Sequence, residues 1–171
     1  VLKNLETNRA THTKDINLTI YVDEDEKRGS ADVVVYPHMS EEEIKNVIEE
    51  GVYSASFAMN KFYEIPAAME EKVEFDNSNL SQKPFVEIVG DIVEAVFKAD
   101  THKDGWINST EFFLYKKNIH FRNSKGVDVS YTKYFGNIEV IPTWKGANEE
   151  VELYKMIEFG NLDLDYITKE V

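Results

Sequence analysis

The sequence predicts an α+β fold: an N-terminal β-hairpin, two amphipathic helices and an antiparallel β-meander. Three observations carry this. Ile16, Leu18, Ile20 and Val22 alternate with polar residues, the period of a half-buried strand. Two later segments place apolar residues at helical spacing. After Asp104-Gly105 the period returns to two and stays there for most of the remaining chain.

Asp15–Glu24 forms the first strand. Asp23 to Gly29 is a charged turn, and residues 30–37 return around Val33-Val34-Val35-Tyr36 until Pro37 closes the strand. Leu2–Arg9 is a candidate third strand. Ser40 followed three residues later by Glu43 is a capping box, and Glu41 and Glu42 suit the positive end of a helix dipole. The helix it starts aligns Ile44, Val47, Ile48, Val52, Ala55 and Met59 on one face. Residues 60–83 read as irregular, with Pro66 and the run Asp76-Asn77-Ser78-Asn79. A second helix covers Pro84 to Ala99. Its stripe of Phe85, Ile88, Val89, Ile92, Val93, Val96 and Phe97 places Val89 and Val93 in the core. Strands follow at 109–117, 119–122, 127–134, 137–144 and 149–159. Turns lie at Asn123-Ser124-Lys125-Gly126, Gly136-Asn137 and Lys145-Gly146, and a helix starts after Asn161. Residues 1–60 thus hold the hairpin and first helix, and 61–171 the second helix and the meander.

Composition narrows the function. The chain has 171 residues, a formal net charge of −13 and no cysteine. A chain of this size buries roughly two thirds of its unfolded surface, so it needs neither metal nor disulfide to fold. The charge disfavours nucleic acid and anionic membrane as partners. Absence of cysteine excludes thiol catalysis and thiolate metal sites, and fits a reducing, cytoplasmic setting. No apolar run approaches the ~20 residues of a membrane span. The glycosylation sequons at Asn17, Asn79 and Asn108 are read as chance matches.

Few residues offer chemistry. His12, His38, His102 and His120 are too far apart in sequence to build a zinc site by local spacing. Asp23–Glu26 and Glu41–Glu43 read as a solvated turn and a helix start, and Trp106 and Trp144 as core anchors. The sharpest pattern spans residues 100–111 and matches a calcium loop, with Asp100, Asp104 and Glu111 at positions 1, 5 and 12 and Gly105 at position 6. Against it, His102 stands where an oxygen ligand belongs, Lys103 adds positive charge, and the exit segment alternates like a strand. The expected reading is a helix-to-strand turn with no calcium site. No catalytic, cofactor-binding or metal-binding residue is assigned.

Several phrases, in order, resemble the N-terminal region of the TldD/PmbA family. They are Lys27-Arg28-Gly29-Ser30-Ala31, Met39-Ser40-Glu41-Glu42-Glu43-Ile44, the small residues Ala55-Ser56, Ser109-Thr110-Glu111, and Arg122-Asn123-Ser124-Lys125-Gly126-Val127-Asp128-Val129. The family comprises zinc metallopeptidases and inactive partner subunits, also known as modulators of DNA gyrase. The resemblance implies a non-catalytic N-terminal domain that contributes to dimer assembly and encloses a peptide substrate. It implies homodimers or heterodimers with another TldD/PmbA-type subunit. Zinc is implied for a full-length active member, through a His-Glu-x-x-x-His motif that these residues lack. The start at Val1 and the stop inside an apparent helix fit a fragment of a longer chain. The alternatives are an EF-hand-like module at 100–111 or an acidic protein-interaction domain.

Overall fold

The computed structural model describes residues 4, 6–69 and 77–171. They form two compact units, Asn4–Pro66 and Ala67–Val171.

In the first unit, β1 (Ile16–Glu24) and β2 (Lys27–Val35) form an antiparallel hairpin, and β3 (Met59–Lys61) pairs with the other edge of β2. The hairpin turn is tighter than the sequence indicates. Glu24 pairs with Lys27, and Asp25 takes a left-handed φ of 54°. Aspartate tolerates that conformation better than most residues. The expected third strand at 2–9 is not formed by Asn4 or Glu6–Arg9; Leu2, Lys3 and Leu5 lie outside the described residues. The third strand comes instead from Met59, which the helical stripe had claimed.

Helix α1 (Glu41–Ala55) starts at the capping box: the Glu43 N–H donates to Ser40 Oγ and the Ser40 N–H to Glu43 Oε2. It packs on the sheet through Ile44, Val47, Gly51 and Ala55, while Ile48 and Val52 of the expected stripe are exposed. The approach is close enough to require glycine. A Cβ on Gly51 would stand 2.4 Å from Ile20 Cδ1, and one on Gly29 would stand 1.7 Å from the Ala55 carbonyl oxygen. On the opposite face of β2, the buried Arg28 guanidinium pairs with both Asp23 oxygens at 2.6 and 2.7 Å and donates to the Tyr63 carbonyl at 2.6 Å. The rings of Phe62, Tyr21 and Tyr63 surround it at 4.5, 5.4 and 5.6 Å. A buried cation is tolerable because it is paired and hydrogen-bonded. The adjacent Arg28 and Gly29 therefore lock the two faces of β2.

The second unit is built on two long strands, β4 (Gly105–Arg122) and β5 (Asp128–Lys145). The separate strands expected at 109–117 and 119–122 are one strand, and so are those at 127–134 and 137–144. The expected 149–159 strand is two short ones, β6 (Glu150–Glu152) and β7 (Lys155–Phe159), both paired antiparallel with β5. Gly136-Asn137 is no turn. Gly136 pairs with Leu114 on one side and Phe159 on the other, and a Cβ there would stand 2.6 Å from Phe159 Cζ and 2.7 Å from Leu114 Cδ2. The glycine makes room for two side chains that cover it. The turn at 123–126 forms as expected: Asn123 Oδ1 accepts from the Lys125 and Val127 N–H groups, each at 3.0 Å, and Gly126 has φ 86°.

Helix α2 (Phe85–Ala99) and helix α3 (Leu164–Glu170) complete this unit. Its core joins Leu80, Ile88, Ile92, Ala95 and Val96 to Ile138, Val140, Ile157 and Ile167. Val89 and Val93 are only half-buried, contrary to expectation, and Phe97 is exposed. The apolar stripe of α2 is wider than the line that meets the sheet and α3. Asn79 ties the 3-10 turn Asn79–Ser81 to the approach to α3, donating to the Leu162 carbonyl at 2.9 Å and accepting from its N–H at 2.7 Å. Asp163 caps α3 through the Tyr166 N–H.

Candidate functional site

The calcium-loop residues do not converge. Asp100 ends α2, and its Oδ1 accepts the Ile107 N–H at 3.2 Å. Glu111 lies inside β4, directly opposite Glu139 on β5. An EF-hand needs a second helix there so that its twelfth residue can turn back to the ion. A strand points alternate side chains to opposite faces instead. The helix-to-strand reading holds, with Asp104 contributing its backbone carbonyl to the Lys145 N–H.

Nor do the histidines gather. His38 stacks on Tyr36, His102 Nδ1 accepts the Asp104 N–H, and His12 precedes β1. His120 Nε2 lies 2.7 Å from Asp128 Oδ1 on the distal hairpin, where Arg122 also reaches Asp128 at 3.0 Å. His120 and Arg122 together hold the Asp128 carboxyl below the usual carboxylate range. Among the described residues no group of three or more His, Asp or Glu could hold a metal. The donor set does not fit a zinc centre, and no catalytic step follows from these residues.

What converges is a face of the sheet. Phe112, Leu114, Ile138 and Val140 point into the core, so the alternating residues point away from it. There Tyr115 and Phe135 stack at 4.7 Å. Lys117 and Lys133, paired across the strands, hold their ammonium groups 5.2 and 5.3 Å from the Phe135 ring centre. Ile119, Phe121, Val129 and Tyr131 continue the face toward the turn, mostly exposed. A shallow depression of about 610 Å³ opens beside the stacked rings, reaching Asn137, Glu158 and Gly160. Asn137 Oδ1 is buried there with no hydrogen-bond partner among the described residues. Further along, Glu111 and Glu139 stand opposed, and Tyr154 beside them has its phenol pushed up by partial desolvation and by Glu139 and Glu111.

The face thus combines stacked rings, ammonium groups and exposed apolar side chains. Taken singly, these residues carry no signal in the sequence. The signal is the mirrored pair Tyr115-Lys116-Lys117 and Lys133-Tyr134-Phe135, equidistant from Lys125 in the Asn123–Gly126 turn. Placing that turn brings the two clusters into register.

This topology defines the chain as an α+β protein with a TldD/PmbA-like fold. Two solved structures share it: TldE from Thermococcus kodakarensis (TM-score 0.58, 16% identity), matched over 90% of this chain and 36% of that one, and a Thermotoga maritima protein described as a "putative modulator of a DNA gyrase" (TM-score 0.53, 18% identity), matched over 90% and 35%. The chain therefore spans about a third of the length of the structures it matches. No family model and no curated protein matches the sequence. Among the described residues no helix is long and apolar enough to cross a membrane.

Proposed function

We propose that this chain is the non-catalytic N-terminal domain of a TldD/PmbA-type zinc metallopeptidase or of its inactive partner subunit. It contributes to dimer assembly and to enclosure of a peptide substrate, in the cytoplasm. The observation that carries the reading is the shared fold over nine tenths of the chain with TldE and the Thermotoga maritima protein. The docking face of the second unit supports it, since enclosing a peptide requires exposed aromatic and hydrogen-bonding groups rather than a metal centre. Zinc and the peptide-cleaving groups belong, on this reading, to another part of the assembly.

Two measurements test it. Light scattering on the purified chain, alone and mixed with a TldD/PmbA-type subunit of the same organism, should show a dimer or a mixed complex. A strict monomer that forms no complex would remove the assembly role. A quenched unstructured peptide incubated with the chain and zinc should stay intact. Zinc-dependent cleavage that a chelator abolishes would contradict the non-catalytic assignment.

A further inference from the structure

The distal half of the β4–β5 hairpin inverts the charge of the molecule. Residues 115–135 carry five cations, Lys116, Lys117, Arg122, Lys125 and Lys133, against one carboxylate, Asp128, in a chain whose net charge is −13. Asp128 is already engaged by His120 and Arg122. Among the described residues no carboxylate pairs with Lys116, Lys117 or Lys133, whose ammonium groups lie over the rings of Tyr134 and Phe135.

Among the described residues the same segment has an unpaired strand edge. β4 is, among the described residues, the outermost strand of its sheet, and only β5 pairs with it, along its whole length apart from the bulge at Asn108. An edge of that length displays a row of backbone donors and acceptors ready to pair with another strand. Lysines on such an edge repel unwanted strands of neutral or positive character. They favour one whose side chains bring negative charge.

We propose that the edge of β4 from Tyr115 to Arg122 takes up an extended acidic peptide segment by strand addition. This rests on the peptide-enclosing reading above and names the class of peptide. A strand laid antiparallel or parallel along β4 places alternate side chains on the two faces of the sheet. On one face they meet Lys117, with Lys133 behind it, and the exposed rings of Tyr115 and Phe121. On the other they meet Lys116 and Arg122. Carboxylates on either face thus find a cation, while the backbone completes the ladder. Nucleic acid would use the same cations, but it has no backbone amides to pair with the edge, and the remaining surface repels it.

The test uses the whole chain and fluorescence anisotropy with a labelled peptide of four Glu-Val repeats. Controls are four Thr-Val repeats, the acidic peptide N-methylated at alternate amides, and a short oligothymidylate. The acidic peptide should bind about tenfold tighter than the neutral one, and more weakly as salt rises. N-methylation should cost tenfold or more, because it removes ladder donors and leaves the charge in place. The double variant Lys117→Glu/Lys133→Glu, both positions being exposed, should reverse the preference between the acidic and neutral peptides. Its circular dichroism checks that the fold is kept. Equal binding of neutral and acidic peptides overturns the acidic preference and leaves the peptide-enclosing reading standing. Indifference to N-methylation, absence of binding, or tighter binding of oligothymidylate each overturns the inference. The assembly measurement on the unliganded chain judges the broader reading separately.

Discussion

Ile92 tests the packing of α2. Its side chain is 0% exposed, in the cluster that joins α2 to Ile138, Val140, Ile157 and Ile167. Truncation to Ala removes three carbons from a site closed on all sides, where sheet and helix cannot both collapse inward. The expected cost is about 3–4 kcal/mol, within the range of about 2–5 kcal/mol for buried Ile-to-Ala changes. Val89 and Val93 sit on the flanks of the same helix and are half-buried. Each loses two methyls that are already partly solvated, so Val89→Ala and Val93→Ala should cost about 1 kcal/mol or less apiece. Urea titration followed by tryptophan fluorescence reads this unit selectively, because Trp106 and Trp144, the only tryptophans, both lie in it. The midpoints should fall in the order wild type, valine variants, Ile92→Ala, with slopes unchanged. Equal losses for all three, or a larger loss at Val93, would show that the helix is seated differently and refute the argument.

Gly29→Ala should destabilise the first unit by about 2–3 kcal/mol or more, since the new methyl meets the Ala55 backbone at 1.7 Å and α1 must lift from β2; faster amide exchange across residues 41–55 would report it. Glu43 is held below the usual carboxylate range by the Ser40 N–H and hydroxyl. A carboxyl depressed on folding stabilises above its unfolded pKa and loses that contribution as pH falls through the folded one. Protection of the α1 amides in the wild type should therefore drop on acidification through the carboxylate range, whereas Glu43→Gln should show a flatter profile; identical profiles would contradict the capping-box role. Calcium titration by calorimetry should give no heat of binding at micromolar levels, because Glu111 lies within β4, opposite Glu139, and not on a second helix that could turn back to Asp100. Micromolar binding abolished by Glu111→Gln would overturn that.

Local signals were legible where the physics is local. The capping box of α1 needs only Ser40 and Glu43 at the right spacing, and the Asn123–Gly126 turn needs only an asparagine carbonyl and a glycine that accepts positive φ. The switch to strand period after Gly105 marks β4, where an EF-hand would have its second helix.

Tertiary structure decided the rest. Gly136-Asn137 has the residues of a turn, yet β5 runs straight through because Leu114 and Phe159 pack over the missing Cβ, one from each neighbouring strand. Likewise α2 is apolar over a wide arc, and only the positions of Ile138, Ile157 and Ile167 select Ile88, Ile92, Ala95 and Val96 as its buried line. The aromatic and lysine face needs the hairpin register, which sets Lys117 beside Lys133 and Tyr115 on Phe135. A sequence records each residue's preference for a period. Which of several compatible faces is buried, and how far a strand continues, depends on partners distant in the chain.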